Sequence, residues 1–303
     1  MRATLSPPLA ASPDAALPAA PARLAAPALP AAPALPSAAG SSAPELPVVL
    51  APLSAAPLAA VPGWQRLRLW TKLVALSALG YAAATPYFLF LFAHLPKQPK
   101  LPVPAVIALQ GIQVLVMVGL AAWAGVVCAP KAGFDAPWLR GVAKPTARTV
   151  AMSLVAGTAA SLLVAGVVTV LRPYLPAALS AASQAAAPRW VGASSAFYGG
   201  IIEEVLLRWG ILTALVLGAK KLRLGGAAGF WIANVFAALL FGLGHLPAAR
   251  ALIGPLTPVV LTYVLVGNGL AGLVFGWVFR RRGLEAAMIS HATADVWLHA
   301  ILP

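Results

Sequence analysis

The sequence predicts an all-α protein, a polytopic bundle of about seven membrane helices behind a disordered Ala/Pro-rich N-terminal arm. Three observations carry that prediction. Of 303 residues, 61% are hydrophobic and only 9% charged, whereas soluble domains carry about 25% charged residues. From Trp64 onward, apolar runs long enough to span a bilayer, for which about 20 residues are needed, follow one another with short basic clusters between them. Residues 1–63 have a different character, with a near-repeat AAPALPAAPALP and almost no charge.

That arm cannot build a core, and proline interrupts it too often for a stable helix. No proline-free apolar stretch follows Arg2 as a signal peptide requires, and Arg and Ser are scarce for an organellar transit peptide. The membrane domain is expected over residues 64–303. Trp64, Arg66, Arg68, Trp70 and Lys72 make an aromatic and basic collar of the kind that anchors a helix at the interface. The expected spans are Leu73–Leu95, Pro104–Ala129, Thr149–Leu171, Val191–Gly218, Ala227–Leu246, Pro258–Phe279 and Leu284–Leu302. An eighth is counted if Ala251–Thr257, punctuated by Gly254, Pro255 and Pro258, re-enters the bilayer.

The basic residues between spans alternate, thirteen on one side against five on the other. The positive-inside rule then places the N-terminus in the cytoplasm. The formal charge of +14 is thus topogenic; no nucleic-acid motif accompanies it, and nucleic acid is not expected as a partner. The single cysteine, Cys128, excludes an intramolecular disulfide and a cysteine-based zinc cluster.

Ionisable groups inside apolar runs are costly and therefore informative, roughly 2.5–3.5 kcal/mol each on insertion scales. They fall in three constellations. Glu203-Glu204-x-x-x-Arg208 lies in the fourth span. Residues four apart share a helix face, so Glu204 can pair with Arg208, whereas Glu203 points about 100° away and has no partner on its own helix. Phe241-x-x-x-His245 lies at the end of the fifth span, where Pro247 is expected to stop the helix. His291-x-x-x-Asp295-x-x-x-His299 forms one stripe of the last helix. His299, three residues from Leu302, reads as interfacial, as does Glu285 beside Arg280–Arg282.

These three motifs, in this order on successive helices, resemble those of the CAAX-protease and bacteriocin-processing (CPBP, or Abi) family, over about residues 190–303. The resemblance implies intramembrane proteolysis without a covalent intermediate. Glu203 and His245 would activate a water, Glu204 and Arg208 would orient the site, and His291 with residue 295 would stabilise the oxyanion. The family's last motif most often ends in Asn, and here it is Asp295. An ionised Asp accepts hydrogen bonds and cannot donate, so Asp295 is either protonated or orients His291; the second is the reading adopted. Glu203, His245, His291 and Asp295 are also possible metal ligands, but no H-E-x-x-H occurs and the resemblance implies no cofactor. The expected partners are a peptide substrate at the membrane and the bilayer itself, in a bacterial plasma membrane. The competing classes are a proton-coupled carrier, since Glu, His and Arg also build proton relays, and a non-catalytic membrane scaffold.

One tension remains at this level. At 1.5 Å per residue, His245 lies about 28 Å and His291 about 10 Å from the basic ends of their helices. Straight helices starting at one depth would keep these histidines apart.

Overall fold

The computed structural model describes residues 62–176 and 187–302. The predicted arm lies outside the described residues up to residue 61, and Pro62 then precedes a helix that opens at Gly63. The described chain is helical from there on. In chain order the elements are α1 (Gly63–Ala93), α2 (Val103–Ala132), the one-turn α3 (Pro137–Arg140), α4 (Ala147–Leu171), α5 (Arg189–Phe197), α6 (Thr213–Lys221), α7 (Gly226–Ile253), α8 (Pro258–Arg282) and α9 (Leu284–Val296). Two π-helical segments, Tyr198–Glu203 and Val205–Leu212, carry the chain from α5 into α6, and a third, Trp297–Ile301, extends α9.

Among the described residues, five helices are long and apolar enough to cross a membrane: α1, α2, α4 with its 3₁₀ extension, α7 and α8. Large apolar side chains such as Leu79, Leu120, Val170 and Phe236 stand on the outside, as befits surfaces solvated by lipid rather than water. The protein is therefore an integral membrane protein.

The helix starts and stops follow local chemistry. The collar expected ahead of the first span is itself helical, and Trp70 Nε1 donates to the Gly119 carbonyl at 2.9 Å, which ties α1 to α2. Thr146 and Thr257 cap α4 and α8, each accepting a backbone N–H three residues on. The end of α7 differs from expectation. The helix runs through Pro247 to Ile253, so Ala251–Ile253 complete α7 and Gly254–Thr257 form a turn instead of a re-entrant segment. A proline removes one backbone donor, and a membrane helix tolerates that when neighbours pack around it.

The π-bearing stretch sits at the middle of the bundle. Ile202, Val205, Trp209 and Leu212 are fully buried. α1 and α2 pack on one side of it, α7 and α9 on the other, and α4 closes α8 and α9 from outside. A sharp corner at Gly283 (φ +88°) joins α8 to α9, a backbone conformation that glycine adopts without strain. Past that corner α9 starts inside the protein: Leu284 is fully buried and its N–H donates to the Asp135 carbonyl at 3.1 Å. Glu285, expected at the interface, is buried as well, beneath α3. It accepts the Leu139 N–H at 2.8 Å, so it caps the first turn of α3 from another helix.

Candidate active site

The inset start of α9 resolves the tension over depth. Phe241 of α7 stands edge-on to the His291 ring of α9, with centroids 5.5 Å apart. Counted along each helix, Phe241 is about 22 Å from Gly226 while His291 is about 10 Å from Leu284. The two helices therefore do not begin at one depth, and His245, one turn beyond Phe241, comes into reach of the same carboxylate as His291.

That carboxylate is Glu203. Its Oε1 lies 3.9 Å from His245 Nε2 and its Oε2 lies 3.6 Å from His291 Nε2. Glu204 takes the other side of His291, with Oε1 2.7 Å from Nδ1. The same oxygen is 3.0 Å from Arg208 Nη1, in an ion pair with neither side chain more than 2% exposed. Arg208 also donates through Nη2 to the Gly272 carbonyl at 3.1 Å. Its guanidinium sits against the faces of Phe241 and Phe275, 5.0 and 5.4 Å from their centroids, where ring quadrupoles attract a cation. Phe275 in turn stacks on His291 at 4.4 Å and 21°.

The tautomers follow from the partners. His245 Nδ1 is 2.8 Å from the Phe241 carbonyl. A carbonyl oxygen only accepts, so Nδ1 carries a proton and Nε2 is the nitrogen turned toward Glu203. His291 Nδ1 donates to the Glu204 carboxylate, which aims its Nε2 at Glu203 too. The two imidazoles thus converge on one carboxylate from two helices, each oriented by the hydrogen bond at its Nδ1.

Asp295 stands one turn beyond His291, with Oδ1 3.7 Å from His291 Nε2. Gly199 explains how it fits: a Cβ at that position would lie 2.1 Å from Asp295 Oδ2 and 2.9 Å from His291 Nε2. Only glycine leaves room for the acid. The structure brings together all six residues singled out in the sequence, Glu203, Glu204, Arg208, His245, His291 and Asp295. It differs on who holds His291. The short contact comes from Glu204, while Asp295 stands beyond hydrogen-bond reach of the opposite nitrogen.

Three contributors were not legible as site residues. Phe275 and the glycine at 199 carry no chemistry of their own, although the Gly199-Gly200 pair just ahead of the carboxylates signals close helix approach. Tyr87, from α1, stands at the margin of this cluster through its ring contact with His299. His299, read as interfacial, packs its ring against Tyr87 at 5.6 Å. The site is closed on most sides and open on one. The side chains of Glu204 and His291 are 0% and 5% exposed, against 17% for Glu203 and 36% for His245.

Glu285, in the first turn of α9, lies outside the five helices long and apolar enough to cross a membrane. Burial raises its carboxyl to about 7, against the lowering effect of the Leu139 and Trp138 N–H groups.

Paired carboxylates, two histidines and a buried arginine thus meet inside a bundle of membrane helices. Residues 185–297 match the family described as Rce1-like, type II CAAX prenyl endopeptidase, so over this segment the chain is similar to the CAAX proteases. The match takes in all three motifs and leaves α1 to α4 outside it. No curated protein and no solved structure matches the chain.

Proposed function

We propose that the protein is an intramembrane endopeptidase of glutamate type, which hydrolyses a peptide bond near the membrane through a water activated by Glu203 and His245. The observation that carries this reading is the convergence of His245 Nε2 and His291 Nε2 on the two oxygens of Glu203, at 3.9 and 3.6 Å. The first distance is too long for a direct hydrogen bond. A water about 2.8 Å from both atoms would bridge them at an angle of roughly 90°, at the more exposed edge of the site.

In the proposed reaction Glu203 takes a proton from that water as its oxygen bonds to the scissile carbonyl carbon. The carbonyl electrons move onto oxygen. The oxyanion needs donors, and a cationic His291 offers one at Nε2 while Nδ1 stays on Glu204. Collapse of the tetrahedral intermediate re-forms the carbonyl and breaks the C–N bond, and the proton held by Glu203 goes to the leaving amine. Water is consumed, and an acid and an amine are released. Glu204 and Arg208 act by holding His291 in place.

Glu203, His245, His291 and Asp295 need no metal for this chemistry. Among the described residues no group of three or more His, Cys, Asp or Glu is arranged to hold a metal ion. The substrate is a peptide segment at the membrane surface, and the family's description points to a CAAX-type tail as the first to try. The basic end of the bundle is assigned to the cytoplasmic face of a bacterial plasma membrane. A cysteine placed at Lys144 of a Cys128→Ser chain should accept an impermeant maleimide only after permeabilisation; labelling of intact cells would reverse the orientation.

The test is cleavage of a peptide library, with and without a prenyl group, by wild type, Glu203→Gln and His245→Ala in nanodiscs. The reading predicts products from wild type alone. No cleavage by wild type, together with proton flux lost in Glu203→Gln, would assign the chain to the carriers instead.

A further inference from the structure

α8 carries none of the three motifs, yet it meets both ends of the chain of contacts that holds His291. At one end its Gly272 carbonyl accepts from Arg208 Nη2 at 3.1 Å, Arg208 pairs with Glu204, and Glu204 accepts from His291 Nδ1. At the other end the Phe275 ring lies against the His291 ring, with centroids 4.4 Å apart and 21° between planes. Phe275 is 1% exposed and packs among Ala160 of α4, Ala271 of its own helix and Ala294 of α9. Its depth is set by α7: the buried Asn234 donates through Nδ2 to the Leu273 carbonyl at 3.1 Å, in the space that Gly276 leaves for the amide.

One hydrogen bond does not fix an imidazole. The χ2 torsion of histidine is broad, and the 2.7 Å bond from Nδ1 to Glu204 leaves the ring free to turn about that axis. Glu203 Oε2 and Asp295 Oδ1, at 3.6 and 3.7 Å, are too far from Nε2 to stop it. A stacked face does stop it. In a close-packed interior, any turn of the imidazole plane drives one edge into the phenyl ring and opens a gap at the other. Phe241 closes the perpendicular side, edge-on at 5.5 Å and 87°.

We infer that Phe275 is a positioning residue for His291: its face sets the imidazole plane, and with it the direction in which Nε2 meets Glu203 and the reacting carbonyl. The reacting centre thereby depends on a side chain that belongs to none of the three motifs and has no polar atom. The inference rests on the endopeptidase reading for its effect on turnover, and on the stacking alone for the relation of Phe275 to His291.

The test separates the two. Phe275→Leu removes the stacked face, and Phe279→Leu is its control: Phe279 lies one turn further along α8, is equally buried at 1%, and packs on Phe134 at 4.7 Å. A general loss of packing strikes both variants alike. In nanodiscs only Phe275→Leu should lower kcat, by about 3- to 10-fold, the factor an aromatic contact is worth. Its KM should stay within about twofold of wild type. Equal losses of kcat in the two variants, or wild-type kcat in Phe275→Leu, would overturn the assignment. If Phe275→Leu does not fold, Phe275→Met fills the space with an unbranched chain and is read by the same two outcomes. Should wild type cleave nothing, the endopeptidase reading fails and imidazole NMR still tests the stacking. The chain has four histidines, so the His291 signal is identified by its absence from His291→Gln. A proton over a phenyl face is shielded, so that signal should move downfield in Phe275→Leu and stay in place in Phe279→Leu. A signal unmoved in Phe275→Leu, or moved equally in both, would refute the stacking.

Discussion

Replacing Glu204 by Gln and Glu203 by Gln should give opposite results, although the two residues are neighbours. Glu204 is fully buried and lies 3.0 Å from an Arg208 that is itself 2% exposed. Gln keeps the shape and can still accept from His291, but it leaves a buried guanidinium without its counter-charge. Removing one member of a buried pair costs about 3–5 kcal/mol. Arg208 retains the Gly272 carbonyl and the Phe241 and Phe275 faces, which places the expected cost at the low end, about 3 kcal/mol. For a chain of this size that corresponds to a fall in Tm of roughly 6–12 °C. Among the described residues the Glu203 carboxylate has no ion pair closer than the 3.6 and 3.9 Å approaches to the two histidines, and it is partly exposed. Its substitution should shift stability by less than about 0.5 kcal/mol. The assay is thermal unfolding in nanodiscs, followed by tryptophan fluorescence. Equal melting of Glu204→Gln and wild type, or equal destabilisation by both substitutions, would refute the division of labour between the two carboxylates.

The remaining predictions concern other parts of the same architecture. Gly199→Ala drives a methyl into Asp295 and His291; kcat should fall at least about tenfold, since a displacement near 1 Å can cost 100-fold, and unchanged kinetics would show the site to be loosely packed. Glu285 has a folded-state pKa near 7 against an ordinary 4.5, so the folded chain binds more protons in that window and its stability falls as pH rises through it. Glu285→Gln should therefore stabilise the protein at pH 8, by an amount of order 3 kcal/mol, seen as a higher Tm, and leave Tm unchanged at pH 4. A gain equal at both pH values would contradict the shift. Cleavage should survive a strong chelator, with no zinc in the purified protein; loss of activity restored by added metal would overturn the metal-free mechanism.

Much of the fold could be read from hydropathy because a bilayer demands long apolar helices and places few other constraints on them. The spans at α2, α4 and α8 agree with the sequence to within a few residues. Pro247 was misleading because its usual effect supposes solvent or a loop beyond it, whereas α7 continues to Ile253. The pairing of Glu204 with Arg208 followed from helix periodicity. The hydrogen bond of Glu204 to His291 did not, since it depends on where α9 begins, and that depends on a glycine corner and the docking of Leu284 and Glu285 under α3. The π-segments around the carboxylates leave no periodic signature in residues that are apolar on every side. Tyr87 was invisible for a simpler reason: a tyrosine in an apolar run, more than a hundred residues from Glu203, carries no motif.

The central claim is that Glu203 is the base that activates water, and single-turnover cleavage by Glu203→Gln against wild type tests it most directly. Gln has the same shape and cannot take the proton, so the rate of the chemical step should drop about 10²- to 10⁴-fold, with substrate binding and Tm retained. A Glu203→Gln enzyme that cleaves within about tenfold of wild type would place the base elsewhere and contradict the account.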